Sequence, residues 1–97
     1  MRMHIAAHGF DLTEDLRQSV VHEIARLVQS VDRPVNDIAV RLFDERGCAK
    51  RGLGKRCHVR VEFDDSVAIE DSDSEASFHD CVSEAFVKVM RAEQSAH

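Results

Sequence analysis

Seven basic residues, Arg41, Arg46, Lys50, Arg51, Lys55, Arg56 and Arg60, crowd into residues 41–60 against only Asp44 and Glu45, a net +5. Such side chains neutralise phosphates and release the counterions condensed on them, and an arginine can grip one phosphate with two parallel hydrogen bonds. A polyanion is the partner such a segment suits. The following stretch is its opposite: residues 62–84 hold nine Asp and Glu and no Lys or Arg, a net −9. The overall charge of −5 at pH 7 therefore conceals two regions of opposite sign. The competing readings are plainer, a solvated basic loop and a solubilising acidic face.

Other chemistries fit the residues less well. Cys48, the Cys57-His58 pair and His79-x-Cys81 supply zinc-ligand types. None has the tight Cys-x₂-Cys spacing that a four-ligand site uses. Cys57 alternates with apolar residues and Cys81 lies three after Phe78, as expected of buried free thiols. Three cysteines make an odd count without a secretion signal, which points to reduced thiols. Gly52 and Gly54-Lys55 lack the Ser or Thr and the following helix of a phosphate-binding loop, since Arg56 comes next. Asp64-Asp65 and Asp71-x-Asp73 do not follow the calcium-loop pattern and suit a turn and a helix start. No serine, histidine and carboxylate form a catalytic set. The chain is expected to have no cofactor, no metal, no small-molecule substrate and no catalytic activity.

Around these residues the pattern reads as alternating short elements. Met3, Ile5 and Ala7 alternate with Arg2, His4 and His8, predicting a half-buried strand over 2–8. Thr13 suits a helix N-cap, with Glu14 and Asp15 in the first turn. Leu16, Val20, Ile24, Leu27 and Val28 form an apolar stripe opposite Arg17, Gln18, Glu23 and Gln29, with Arg26 on the flank. Ile38, Val40 and Leu42 predict a second strand, and residues 44–56 a long basic loop of the kind that is often functional. Cys57, Val59, Val61 and Phe63 predict a third strand, joined by the turn at Asp64-Asp65-Ser66 to a fourth with Val67 and Ile69. Ser72 and Glu75 have capping-box spacing, and Phe78, Val82, Ala85, Phe86 and Val89 predict a second helix to about Ala92 before a frayed tail.

Ninety-seven residues make one domain, 1–97. The expected architecture is α+β, a β-α-β-β-β-α two-layer sandwich with a four-stranded mixed sheet and two helices on one face. The first strand pair, split by a helix, can be parallel, while the later pairs are antiparallel. No apolar run is long enough to span a membrane, and Met1-Arg2-Met3-His4-Ile5 lacks a signal-peptide core. The expected location is the cytoplasm.

Met3-His4-Ile5, Gly9-Phe10-Asp11-Leu12-Thr13, the spaced Leu16, Val20, Ile24 and Leu27, Lys55-Arg56-Cys57-His58-Val59-Arg60-Val61 and the final segment from Glu70-Asp71 to Phe78 and Ala85 follow one another in an order that resembles the ribosome hibernation-promoting factor family. That family is also called ribosome-associated inhibitor A, protein Y or the sigma-54 modulation family. The resemblance, to the short form without an added C-terminal domain, covers essentially the whole chain. It implies a fold similar in plan to double-stranded RNA-binding domains. It implies a ribosome-associated translation inhibitor, or hibernation factor, that binds small-subunit rRNA during stress and occludes the mRNA and tRNA channel. The positions that fit the family's RNA-binding residues are Arg26, Lys50, Arg51, Lys55, Arg56, Arg60, Lys88 and Arg91. Members present a broad basic surface across both helices, whereas here the second helix begins acidic and carries only Lys88 and Arg91. The alternative is a protein–protein interaction module of the same fold that uses its acidic helix face.

Overall fold

The computed structural model describes residues 1–44, 54–74 and 77–95. Strand β1 (Arg2–His8) is followed by helix α1 (Glu14–Ser30), strands β2 (Val35–Asp44), β3 (Lys55–Phe63) and β4 (Val67–Ser74), and helix α2 (Phe78–Ser95). The strands form one sheet in the order β1-β2-β3-β4. β1 runs parallel to β2, and the β2–β3 and β3–β4 pairs are antiparallel. Both helices lie against one face, α2 across β3 and β4 and α1 beside it over β2. The expected α+β architecture, including its mixed sheet, is what forms.

Alternation in the strands sorts side chains between the two faces. Ile38, Val40 and Leu42 from β2 and Cys57, Val59, Val61 and Phe63 from β3 are buried under the helices. They meet Leu16, Val20, Ile24 and Leu27 of α1 and Cys81, Val82, Ala85, Phe86 and Val89 of α2. Each fully buried large aliphatic or aromatic side chain contributes about 1.5–3 kcal/mol relative to exposure.

Thr13 caps α1 as expected, its Oγ1 accepting from the Leu16 backbone N–H at 3.2 Å. The α1 stripe is rotated from expectation: Val28 is 40% exposed while Glu23 is buried. The reason is that α1 packs chiefly beside α2 rather than down on the sheet, which turns the buried arc toward Glu23. The cap of α2 is not Ser72, which sits buried in β4. Ser77 takes that role, its Oγ accepting from the Asp80 N–H at 3.1 Å; Glu75 lies outside the described residues. α2 runs on through Gln94 to Ser95, beyond the expected end.

The long loop expected over 44–56 is shorter than that, because Asp44, Lys55 and Arg56 are paired strand residues. The remainder that includes Lys50 and Arg51 lies outside the described residues. In β4, Val67 and Ile69 face away from the helices, 46% and 54% exposed. The hairpin register pairs them with Glu62 and Arg60, which carry the opposite parity from the core residues of β3.

One polar knot closes the far end of the molecule. Arg33, between α1 and β2, reaches Glu93 of α2 through Nε at 3.1 Å and its NH2 group at 2.9 Å. It also pairs with Asp65 and donates to Ser66 Oγ at 2.9 Å in the β3–β4 turn. Its guanidinium lies 4.0 Å over the Phe63 ring. The Glu93 hydrogen bonds are the main cause of an upward pKa shift at Arg33, opposed by desolvation and helped by the charges of Glu93 and Asp65.

Candidate nucleic-acid interface

The helices leave the second face of the sheet uncovered, and its side chains follow from strand register. Ala6 stands beside Arg41, Arg41 beside His58, and His58 beside Asp71. The next row is His8, Phe43, Arg56 and Asp73. Arg60 stands between Ala39 and Ile69. In these rows the positive and aromatic groups lie on β1–β3 and Asp71 and Asp73 on β4, while Asp37 of β2 and Glu62 of β3 bring further carboxylates to the same face.

Contacts within this face are short and largely exposed. His58 Nδ1 lies 2.8 Å from Asp71 Oδ1, and Arg60 pairs with Glu62 at 3.2 Å with both side chains 40% exposed. His8 stacks on Phe43 with ring centroids 4.8 Å apart and 13° between planes. The Arg56 guanidinium lies 4.5 Å over the same Phe43 ring. Exposed ion pairs of this kind contribute about 0–1 kcal/mol, so Glu62 holds Arg60 only weakly.

The sequence-derived basic residues divide between two surfaces. Arg56 and Arg60 lie on the open sheet face. Lys55, one residue earlier, points to the helix side, its Nζ 5.9 Å over the Phe78 ring. Adjacent strand residues face opposite ways, so a run of basic residues in sequence is not a patch in space. Arg26 lies on α1 in an i,i+3 pair with Glu23 at 3.1 Å, its side chain 51% exposed. On α2, Lys88 Nζ donates to the Asp71 carbonyl at 2.8 Å, and Arg91 is exposed. Lys88 thus pins α2 to the outer edge of β4. Lys50 and Arg51 lie outside the described residues.

His8, His58 and Phe43 were not singled out from the sequence as nucleic-acid-binding residues, and Arg41 was counted in the basic segment but not among the eight RNA-binding positions, yet all four share the open face with Arg56. The signal was present: in β2 and β3 they occupy the positions that alternate with the core aliphatics.

The remaining chemistry is structural. Among the described residues no group of three or more His, Cys, Asp and Glu is placed to hold a metal ion. Cys57 and Cys81 are free and buried, and Cys81 Sγ lies 3.0 Å from the Ser72 carbonyl oxygen. Hydrogen bonding to Cys81, followed by burial, pushes the Cys57 thiol far up. It is a protonated core side chain rather than a nucleophile. Cys48 lies outside the described residues. No described helix is long and apolar enough to cross a membrane.

The family model described as Sigma 54 modulation protein / S30EA ribosomal protein matches residues 3–92. Among solved structures, the chain is similar to a ribosomal subunit interface protein from Coxiella burnetii, with TM-score 0.77 and 15% identity over 99% of this chain and 97% of that one. It is also similar to the N-terminal domain of Protein Y from Thermus thermophilus, with TM-score 0.77 and 15% identity over 100% of both chains. At that identity the likeness is one of fold. No curated protein matches the sequence.

Proposed function

The chain belongs to the Sigma 54 modulation protein / S30EA ribosomal protein family, and from that premise we propose that it is a ribosome-associated translation inhibitor that binds small-subunit rRNA and occludes the mRNA and tRNA channel. The observation that carries the reading is the placement of Arg41, Arg56 and Arg60 on the sheet face that neither helix covers, within a fold shared with a ribosomal subunit interface protein. The mechanism is steric. Basic side chains hold rRNA phosphates, and the rigid two-layer body fills space that mRNA and tRNA need. No bond is made or broken. The proposed contacts are Arg26, Lys50, Arg51, Lys55, Arg56, Arg60, Lys88 and Arg91. Arg56 and Arg60 lie on the open face and Lys55 on the helix side, so RNA would meet the protein on several sides, as in a channel, rather than on one flat patch.

The alternative is a protein-interaction module of the same fold that uses its acidic helix face, where Asp80 and Glu84 of α2 are exposed; the same helix also carries Lys88 and Arg91.

Co-sedimentation with purified ribosomes and translation in a cell-free extract test the reading together. The protein should pellet with ribosomes at low salt, be released at high salt, and inhibit translation. A quadruple charge reversal, Lys50→Glu, Arg51→Glu, Lys55→Glu and Arg56→Glu, should abolish both pelleting and inhibition. Failure of the wild type to pellet at any ionic strength, or full inhibition by the reversed variant, would reject it.

A further inference from the structure

One feature of the open face is not a matter of charge alone. His8, Phe43 and Arg56 stand side by side on three neighbouring strands as a continuous stack of planar groups. Phe43 is enclosed between the other two. His8 stands on β1, the edge of the sheet, so no further strand follows it. The residue is exposed, and among the described residues Phe43 is its one ring neighbour. The outer face of the imidazole is an open end of the stack.

The backbone holds that ring in place. Gly9 follows His8 with φ +90°, and a Cβ there would lie 3.0 Å from the Asp44 carbonyl oxygen. Glycine thus lets the chain turn immediately after His8 while staying close to β2, which keeps the rings of His8 and Phe43 in register. Further along β1 an open groove of about 410 Å³ is lined by Met3, His4, Ile5, Ala6 and Arg17. Ala6 precedes His8 on the same sheet face and presents only a methyl group. Arg41 is its neighbour on β2.

We propose that the outer face of His8 is a docking place for one unpaired nucleobase of RNA, with a flanking phosphate held by Arg41. The inference rests on the reading that the partner is RNA, and adds that the partner presents an unstacked base as well as its backbone. A flat π surface accepts any base, since each has a π face, while cationic side chains beside it hold the strand. A protein segment has no phosphate for Arg41 and gains no more from the imidazole than from any exposed ring. A fully paired duplex keeps its bases stacked inside, out of reach of His8.

The test uses two RNA hairpins that differ only in whether a single 2-aminopurine is bulged or paired. The protein should quench the fluorescence of the bulged probe, as stacking does, and bind it more tightly than the paired one. His8→Ala should lose the quenching and bind the bulged hairpin about tenfold more weakly, with an unchanged circular dichroism spectrum. His8→Phe should restore both. Equal binding of the two hairpins without quenching, or quenching that survives His8→Ala, would overturn the proposal. Ribosome co-sedimentation in the same buffer separates the two readings. Pelleting without quenching removes the base-docking site and leaves the ribosome reading standing. Quenching without pelleting does the reverse.

Discussion

The two faces of this sheet are built from the same strands, yet they obey different rules. Under the helices, Ile38, Val40, Leu42, Cys57, Val59 and Val61 are at most 1% exposed. On the other face, Arg41, His58 and Arg60 alternate with them, Ile69 of β4 stands beside Arg60, and these side chains meet solvent, carboxylates or one another. The covered face gains stability from apolar area removed from water, a term that charge screening does not touch. The open face holds interactions that water and ions weaken, and these are the ones that, on the proposed reading, an RNA backbone exchanges for its own. Stability and the proposed RNA recognition are thus separated by one residue of strand register.

Substitutions can break or sharpen that separation. The largest effect should come from Phe86→Ala, which empties a fully buried site at the centre of α2. Equilibrium denaturation should show a loss of about 3–5 kcal/mol. Gly9→Ala should cost less, roughly 1–3 kcal/mol, because it forces a side chain into a left-handed backbone against Asp44. It should also disturb the His8–Phe43 stack. Thr13→Ala removes the α1 cap and should lower stability by about 1 kcal/mol without altering ribosome affinity. Arg60→Ala should change stability by less than about 0.5 kcal/mol, since its partner Glu62 is as exposed as it is, yet weaken ribosome binding. A large stability loss from Arg60→Ala would show that the open face is part of the scaffold after all.

Much of the fold was legible because its signals are local. Alternation in residues 2–8 and 57–63 and the Thr13 cap each act within one element, so the sequence pattern carries them. What was not legible depends on partners far along the chain. The Arg33–Glu93 bonds join residues sixty positions apart, and nothing near Arg33 announces them. Val28 belongs to an apolar spacing, but the side-by-side packing of α1 and α2 turns it outward. The Ser72-Glu75 spacing resembles a helix cap, yet pairing of Ser72 with Cys57 keeps it in the sheet. The candidate site was half legible. Basic residues near the start of β3 were evident, but their division between two faces needed the register: Lys55 pairs with Asp44 and Arg56 with Phe43, which places the two side chains on opposite sides.

The salt dependence of ribosome affinity addresses the central claim most directly. Measured for the wild type and for the double variant Arg56→Ala/Arg60→Ala, a plot of log affinity against log salt concentration should be steep for the first. For the second it should be shallower by roughly two, about one for each phosphate contact removed. An unchanged slope with unchanged affinity would show that these side chains do not meet RNA phosphate, and would contradict the account.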